Sequence, residues 1–400
     1  MSSGNKALAA DAIANNADLL TEILVCLPVK SLVRFKFVSK HWESLISSPQ
    51  FCRCLYPDSH KVSGLLILHK RSNLINPEHD FVPLRNETIG APFKSLTFVN
   101  HPSGLRILQS CRGLLFCSSL RNKKFDHDYY IFNPTTKQFV ELPQPGGRVY
   151  GINIAYDPEK SLHYKVVCLR GSDSSGGNKN DFSSYQIELY SSETRSWRVS
   201  GDAFTRHIGM QYENGVFWNG VIHWINCHDT SLYFKVDEEQ LGEMPMPTTQ
   251  VPDDWISGRR FRYLGETREH LYLVEIYDPC ATKFVVYEME QDYSRWFVKY
   301  RVDLDGITVA FPEMISSILC PPNMDYYRFS IICIIREANE AESYMVLHIP
   351  GKVIRYNFND KTFDKICDFG SGHDQGIRYW ASLVEWVDVY QYIESLAWVP

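Results

Sequence analysis

The chain has 400 residues, 44% hydrophobic and 22% charged, a balance that allows a buried core and excludes wholesale disorder. A net charge of −6 argues against a general nucleic-acid binder, which needs a basic surplus to neutralise phosphates. No stretch approaches the ~20 apolar residues of a membrane span, and Met1–Asn16 lacks the apolar run of a signal peptide, so neither nucleic acid nor membrane is an expected partner.

Residues 1–16 are small and polar and read as a tail. From Ala17 the texture is helical. Leu20, Ile23, Leu24 and Leu27 fall at i, i+3, i+4 and i+7, the stripe of an amphipathic helix. Pro28 separates it from a short second helix carrying Val29, Leu32, Val33, Phe35 and Phe37. Ser39 suits the N-cap of a third, with Trp42, Leu45 and Ile46 as its buried face. Ser47-Ser48-Pro49 then stops it. Three short helices in a module of residues 17–58 cannot hide all these apolar side chains, so a subset faces a partner or the next domain.

Residues 59–400 read as all-β. Short Val, Ile, Phe, Tyr and Trp runs alternate with Gly, Asn, Pro, Asp and Ser clusters. Aromatics make up 14% of the chain, which favours pleated, half-buried surfaces. One frame recurs: Phe132-Asn-Pro-Thr-Thr-Lys-Gln-Phe139, Tyr190 to Trp197 and Tyr356 to Phe363. A cation stands five after the first aromatic in each: Lys137, Arg195, Lys361. Looser copies are Leu74 to Phe81, Phe234 to Leu241 and Met289 to Trp296. The frame reads as a β-hairpin whose bulky ends pack on one face. The six copies start about 56 residues apart, and with the strands upstream each unit holds three or four, the content of a propeller blade. Six blades fill the region, a degenerate seventh is an alternative, and Tyr390–Val399 is available to close the ring beside the first. Asp173–Asn180 reads as a loop tip.

The eleven cysteines sit among apolar residues, as in Leu115-Phe116-Cys117 and Ile331-Ile332-Cys333-Ile334. That is the usage of small buried hydrophobes in a reducing compartment, cytoplasmic or nuclear, and makes the Asn86-Glu-Thr88 sequon uninformative. Cys52-x-Cys54 has no second pair at zinc spacing. His60, His69, His79, His101 and His127 are dispersed. No Gly-x-Ser-x-Gly elbow and no phosphate loop is present. Asp253-Asp254 before Trp255 is the one adjacent acidic pair that invites a site, and a solvated loop suits it better. Trp218, Trp224, Trp255, Trp296 and Trp380 read chiefly as blade core. No catalytic residue, metal or cofactor is expected.

The segment Asp18–Trp42 contains Leu-Pro-Val-Lys-Ser-Leu (27–32) and Val-Ser-Lys-x-Trp (38–42), followed by Leu-Ile-x-x-Pro-x-Phe (45–51). It resembles an F-box. Ser110-Cys-Arg-Gly-Leu-Leu115, Asn133-Pro-Thr-Thr-Lys137 and Gly215-Val-Phe-Trp-Asn-Gly-Val-Ile-His-Trp224 are similar to the F-box-associated, kelch-like propeller domains of plant F-box proteins. The resemblance implies docking on a Skp1-like adaptor through Leu20, Ile23, Leu24, Leu27, Pro28, Val29, Leu32, Val38 and Trp42, and through that adaptor on a cullin–RING ubiquitin ligase. The propeller would hold the protein to be ubiquitinated. One departure is visible: Asn15-Asn16 stands where F-boxes open with an adaptor-touching Leu-Pro, a loss of apolar burial worth on the order of 1–3 kcal/mol. Two rival readings remain: a binding module outside any ligase, and a propeller enzyme with acids or metal ligands converging on its axis.

Overall fold

The computed structural model describes residues 16–55, 61–68, 76–85, 90–120, 127–171, 184–205, 207, 209–226, 230–247, 261–276, 282–320, 323, 326–369 and 388–399. The tail up to Asn15, His60, His69, Leu74, the Asn86 sequon, Asp173–Asn180, the Asp253–Trp255 segment and Trp380 lie outside them.

Four helices open the described chain: α1 (Ala17–Leu24), α2 (Val29–Phe35), α3 (Lys40–Ile46) and α4 (Pro49–Leu55). The side chain of Asn16 caps α1, accepting the N–H groups of Asp18 and Leu19 at 3.1 Å each. Ser39 caps α3 by accepting Trp42 N–H at 3.2 Å. The sequence reading of three helices falls one short. Ser48-Pro49 does end α3, but proline suits the first position of a helix, where an N–H would be unsatisfied anyway. Ser48 Oγ accepts Phe51 N–H at 3.2 Å, so the residues that stop one helix start the next.

Six antiparallel sheets follow as the blades of a propeller. From the axis outward, blade 2 holds Leu105–Cys111, Leu114–Ser119, Tyr129–Asn133 and Gln138–Leu142. Blade 3 holds Val149–Ala155, Lys165–Gly171, Ser184–Ser191 and Ser196–Thr205. Blade 4 holds Val216–Trp218, Val221–Trp224, Ser231–Lys235 and Gln240–Met244. Blade 5 holds Phe261–Thr267, His270–Ile276, Lys283–Met289 and Trp296–Asp303, and blade 6 holds Ser330–Ile335, Tyr344–Ile349, Lys352–Asn357 and Phe363–Asp368. Blade 1 is closed from both ends of the domain: its inner strand is Val389–Tyr392, paired with Gly64–Leu68, which pairs in turn with His79–Pro83. The C-terminal run thus closes the ring.

The repeated frame is the outer hairpin of the blade. Phe132 pairs with Phe139, Tyr190 with Trp197, Phe234 with Leu241, Met289 with Trp296 and Tyr356 with Phe363. The cation of the frame has a backbone reason: Lys137, Arg195 and Lys361 have φ of 65°, 52° and 59°, the left-handed residue that completes the turn, and Glu239 (56°) takes that place in blade 4. The copy at Leu74–Phe81 differs. Phe81 pairs with Leu66 of the adjacent strand, and Leu74, the other end of the frame, lies outside the described residues. The frame's last aromatic also bolts blades together: Trp197 Nε1 donates to Pro143 O at 2.7 Å and Trp296 Nε1 to Pro245 O at 2.6 Å. A further short helix, α5 (Asp305–Ala310), lies between blades 5 and 6. Its six residues bury one side chain, Ile307, which is too little for a periodicity to show.

In every full blade the turns after the first and third strands share one end, and the remaining connections, including the crossovers to the next blade, share the other. The inner turns of blades 2, 4 and 5 are two-residue turns with both φ positive: Arg112-Gly113, Asn219-Gly220 and Arg268-Glu269.

His79 is buried between Phe93 and Tyr390, with no hydrogen-bond partner for either ring nitrogen among the described residues. Burial holds its pKa down at about 4. The unfolded chain therefore binds this proton more readily. Stability is full above the ordinary value near 6.5 and is lost as pH falls toward 4, by about 1.4 kcal/mol per pH unit for this group. His79→Phe should flatten that part of the pH–stability profile, measured by urea unfolding between pH 7 and 4.5.

Candidate functional site

The helical module packs around Leu20, Leu24, Leu32, Ile46, Phe51 and Cys52. Two residues from elsewhere complete that core: Leu162 from blade 3 and Leu396 from the C-terminal segment. Lys30 of α2 pairs with Glu394 at 2.8 Å. Burial works to lower the Lys30 pKa, but the hydrogen bond and charge of Glu394 outweigh it and leave it raised. The module therefore sits at the tight-turn end of the blades.

Its outer surface is unusually apolar. Leu19 is 45% exposed, Ile23 50%, Phe37 87% and Val38 59%. Pro28 is also exposed. Leu19 and Ile23 are one helical turn apart and form a second stripe beside the buried Leu20 and Leu24. Single exposed hydrophobes are ordinary, but four large ones within 20 residues of a small module are a dense set.

The propeller axis is concave. A cavity of ≈140 Å³ lies there, lined by the inner strands of blades 1, 2, 4, 5 and 6. Side chains stitch across it. Gln109 accepts Ile154 N–H at 2.9 Å and donates to Gly215 O at 3.2 Å, linking blades 2, 3 and 4. Gln391 of blade 1 donates to Glu266 O of blade 5 at 3.2 Å. Arg112 of blade 2 reaches Glu266 of the facing blade 5 at 3.2 Å. Two thiols, Cys111 and Cys333, line the same space, and burial pushes both up to about 12, so they stay protonated at neutral pH. Among the described residues no group of three or more His, Cys, Asp or Glu side chains is placed to hold a metal ion.

Two stretches of the chain match known families. Residues 16–54 match the F-box domain and residues 84–265 the F-box associated beta propeller domain. Over 379 residues the chain is 37% identical to F-box protein At5g07610 of Arabidopsis thaliana, covering 92% of this chain and 89% of that protein. This chain belongs to the F-box family. F-box protein At5g49610 (33% identical over 221 residues, 52% of this chain and 57% of that protein) and F-box only protein 8 (31% over 252, 58% and 79%), both of Arabidopsis thaliana, are similar in part. An F-box joined to an F-box-associated propeller is the architecture of a substrate-recognition protein.

Within the F-box the nine residues expected to dock an adaptor fall into three sets. Leu20, Leu24 and Leu32 are buried in the module. Leu27, Val29 and Trp42 are half-buried, with Trp42 edge-on to Phe35 at 5.5 Å. Ile23, Pro28 and Val38 are exposed. Leu19, outside that set, is exposed beside Ile23, and its i, i+4 spacing to Ile23 is a signal the sequence carries. Leu396 and Leu162 had no such signal, because nothing in a linear pattern says that residues over a hundred positions away complete a helical core. Asn16, an oddity as an F-box opening, serves locally as the N-cap of α1. Among the tryptophans, Trp218, Trp224 and Trp296 are buried as blade core.

Proposed function

We propose that this F-box protein is the substrate-recognition subunit of a Skp1–cullin–F-box ubiquitin ligase. The exposed apolar face of the F-box carries the reading: Ile23, Pro28 and Val38, joined by Leu19 and Phe37, meet a Skp1-like adaptor. Leu27, Val29 and Trp42 form its rim, and Leu20, Leu24 and Leu32 hold the helices in place. Residues 17–58 serve as the docking module and 59–400 as the recognition domain. The recognised protein sits at the end of the blades away from the F-box. Support for that end is the crossover from blade 5 to blade 6, which carries Val309 (81% exposed) and Ile318 (69%). The chain supplies no bond-making group. It raises the concentration of a substrate lysine beside a ubiquitin-charged enzyme carried by another subunit of the complex. The protein acts in the cytoplasm or nucleus.

Affinity capture from plant extract with cullin activity blocked tests the reading. Wild type should retain a Skp1-type adaptor and a cullin together with proteins bound by the propeller. Ile23→Asp/Val38→Asp should lose the first two and keep the rest. Retention of propeller-bound proteins by wild type without any adaptor would instead make the chain a binding module outside a ligase.

A further inference from the structure

Two of the segments that carry the propeller resemblance, Ser110–Leu115 and Asn133–Lys137, converge on the C-terminal segment, residues 393–399. Asn133 is fully buried. Its Oδ1 accepts the N–H groups of Thr135 and Thr136 at 2.9 and 3.2 Å, forming the hairpin turn. Its Nδ2 donates to the carbonyls of Ser395 at 3.1 Å and Ala397 at 2.8 Å. Thr135 Oγ1 accepts Ser395 N–H at 3.2 Å. On the other motif, Gly113 has φ of +86°, and a Cβ there would lie 2.3 Å from Ser395 Cβ and 3.0 Å from Ile393 O. A side chain at 113 would lift the segment off the blade.

The same segment touches the F-box. Leu396 enters the helical core, and Glu394 pairs with Lys30. Ala397 and Val399 return to the core between blades 2 and 3. Residues 394 and 396 serve the F-box while 395 and 397 serve blade 2, the alternation expected of an extended chain lying between two surfaces.

We propose that residues 393–399 form a clasp that fixes the orientation of the F-box on the propeller, with Asn133, Gly113 and Leu396 as its positioning residues. The covalent link from α4 to blade 1 keeps the two parts near each other. A link sets proximity but not direction. Direction comes from the clasp, seconded by Leu162 of blade 3, and it aims the recognition end of the blades relative to whatever the F-box carries. The role in ubiquitin transfer rests on the ligase reading; the clasp itself does not.

The test uses the full chain. Asn133→Asp keeps the turn-forming acceptors but replaces the donor to the clasp with a carboxylate facing two carbonyls. Leu396→Ala keeps the blade contacts and removes the plug in the F-box. In both, backbone hydrogen exchange in α1–α3 should accelerate at least about tenfold, with exchange in blades 4 and 5 unchanged. Small-angle scattering should show a larger radius of gyration. The Asn133 side chain bonds only its own turn and the clasp among the described residues, so its effect on the helices runs chiefly through the clasp. Wild-type exchange in α1–α3 and wild-type scattering for Asn133→Asp overturn the proposal. If that variant also loosens blade 2, Leu396→Ala decides alone, and unchanged scattering overturns it. Neither readout needs an adaptor, so a failure of the ligase reading leaves this result standing. If that reading holds, Asn133→Asp, whose side chain lies outside the F-box core, binds adaptor and propeller-bound protein as wild type does but transfers ubiquitin between them at least about tenfold more slowly.

Discussion

Ile23→Asp combined with Val38→Asp should weaken binding of a Skp1-type adaptor at least about 100-fold while leaving the unfolding of the chain unchanged. Both side chains are at least half exposed in the free protein, so a carboxylate there stays in water and costs the fold little. In a complex the same positions lose apolar burial, about 1.5–3 kcal/mol for each fully covered side chain, and gain a charge to desolvate. Leu24→Asp gives the opposite pattern and is not a docking test. Leu24 is buried in the module core, so the variant would lose the adaptor by losing the helices. Thermal unfolding run beside the binding assay separates the two: a binding defect with an unchanged transition belongs to the surface. Ile23→Asp/Val38→Asp binding within threefold of wild type would remove this face from the interface.

Trp224→Ala should destabilise the propeller by about 3–5 kcal/mol, measured by chemical denaturation, with the F-box surface untouched. Trp224 is fully buried at the seam of blades 3 and 4, edge-on to Tyr212 at 5.6 Å. Its Nε1 donates to Asn153 Oδ1 at 2.7 Å. Asn153 is itself fully buried, so removing the indole orphans an amide oxygen as well as opening a cavity. Trp224→Phe keeps much of the volume and loses the donor, and should fall between wild type and alanine. Gly215 belongs to the same knot. A Cβ there would sit 2.7 Å from Asn153 Oδ1 and 2.8 Å from Trp224 Nε1, so Gly215→Ala should also destabilise. This accounts physically for the Gly215…Trp224 spacing: the glycine leaves room for the indole–amide bond. A Trp224→Ala loss under about 1 kcal/mol would mean that the seam collapses around the missing ring.

What was readable in the sequence was local. The hairpin frame could be seen because both bulky ends and the left-handed turn residue lie within eight positions, and five of its six copies have the register it implies. The closing strand could be seen because the ring needs one and the chain ends on aromatics. The fourth helix was hidden behind Pro49, which marks a stop and a start with the same residue. The division of the F-box stripe into buried Leu20 and Leu24 and exposed Ile23 depends on which neighbours arrive. Two of those, Leu162 and Leu396, come from the propeller and the C-terminus. The second role of Asn133 was likewise invisible. An Asn-Pro turn explains its Oδ1, but its Nδ2 serves residues more than 260 positions away.

Calorimetric titration of the full chain with a purified Skp1-type adaptor tests the central claim most directly. The exposed F-box face predicts a one-to-one complex with sub-micromolar Kd and a negative heat-capacity change, the mark of apolar burial. No heat and no complex at tens of micromolar would contradict it.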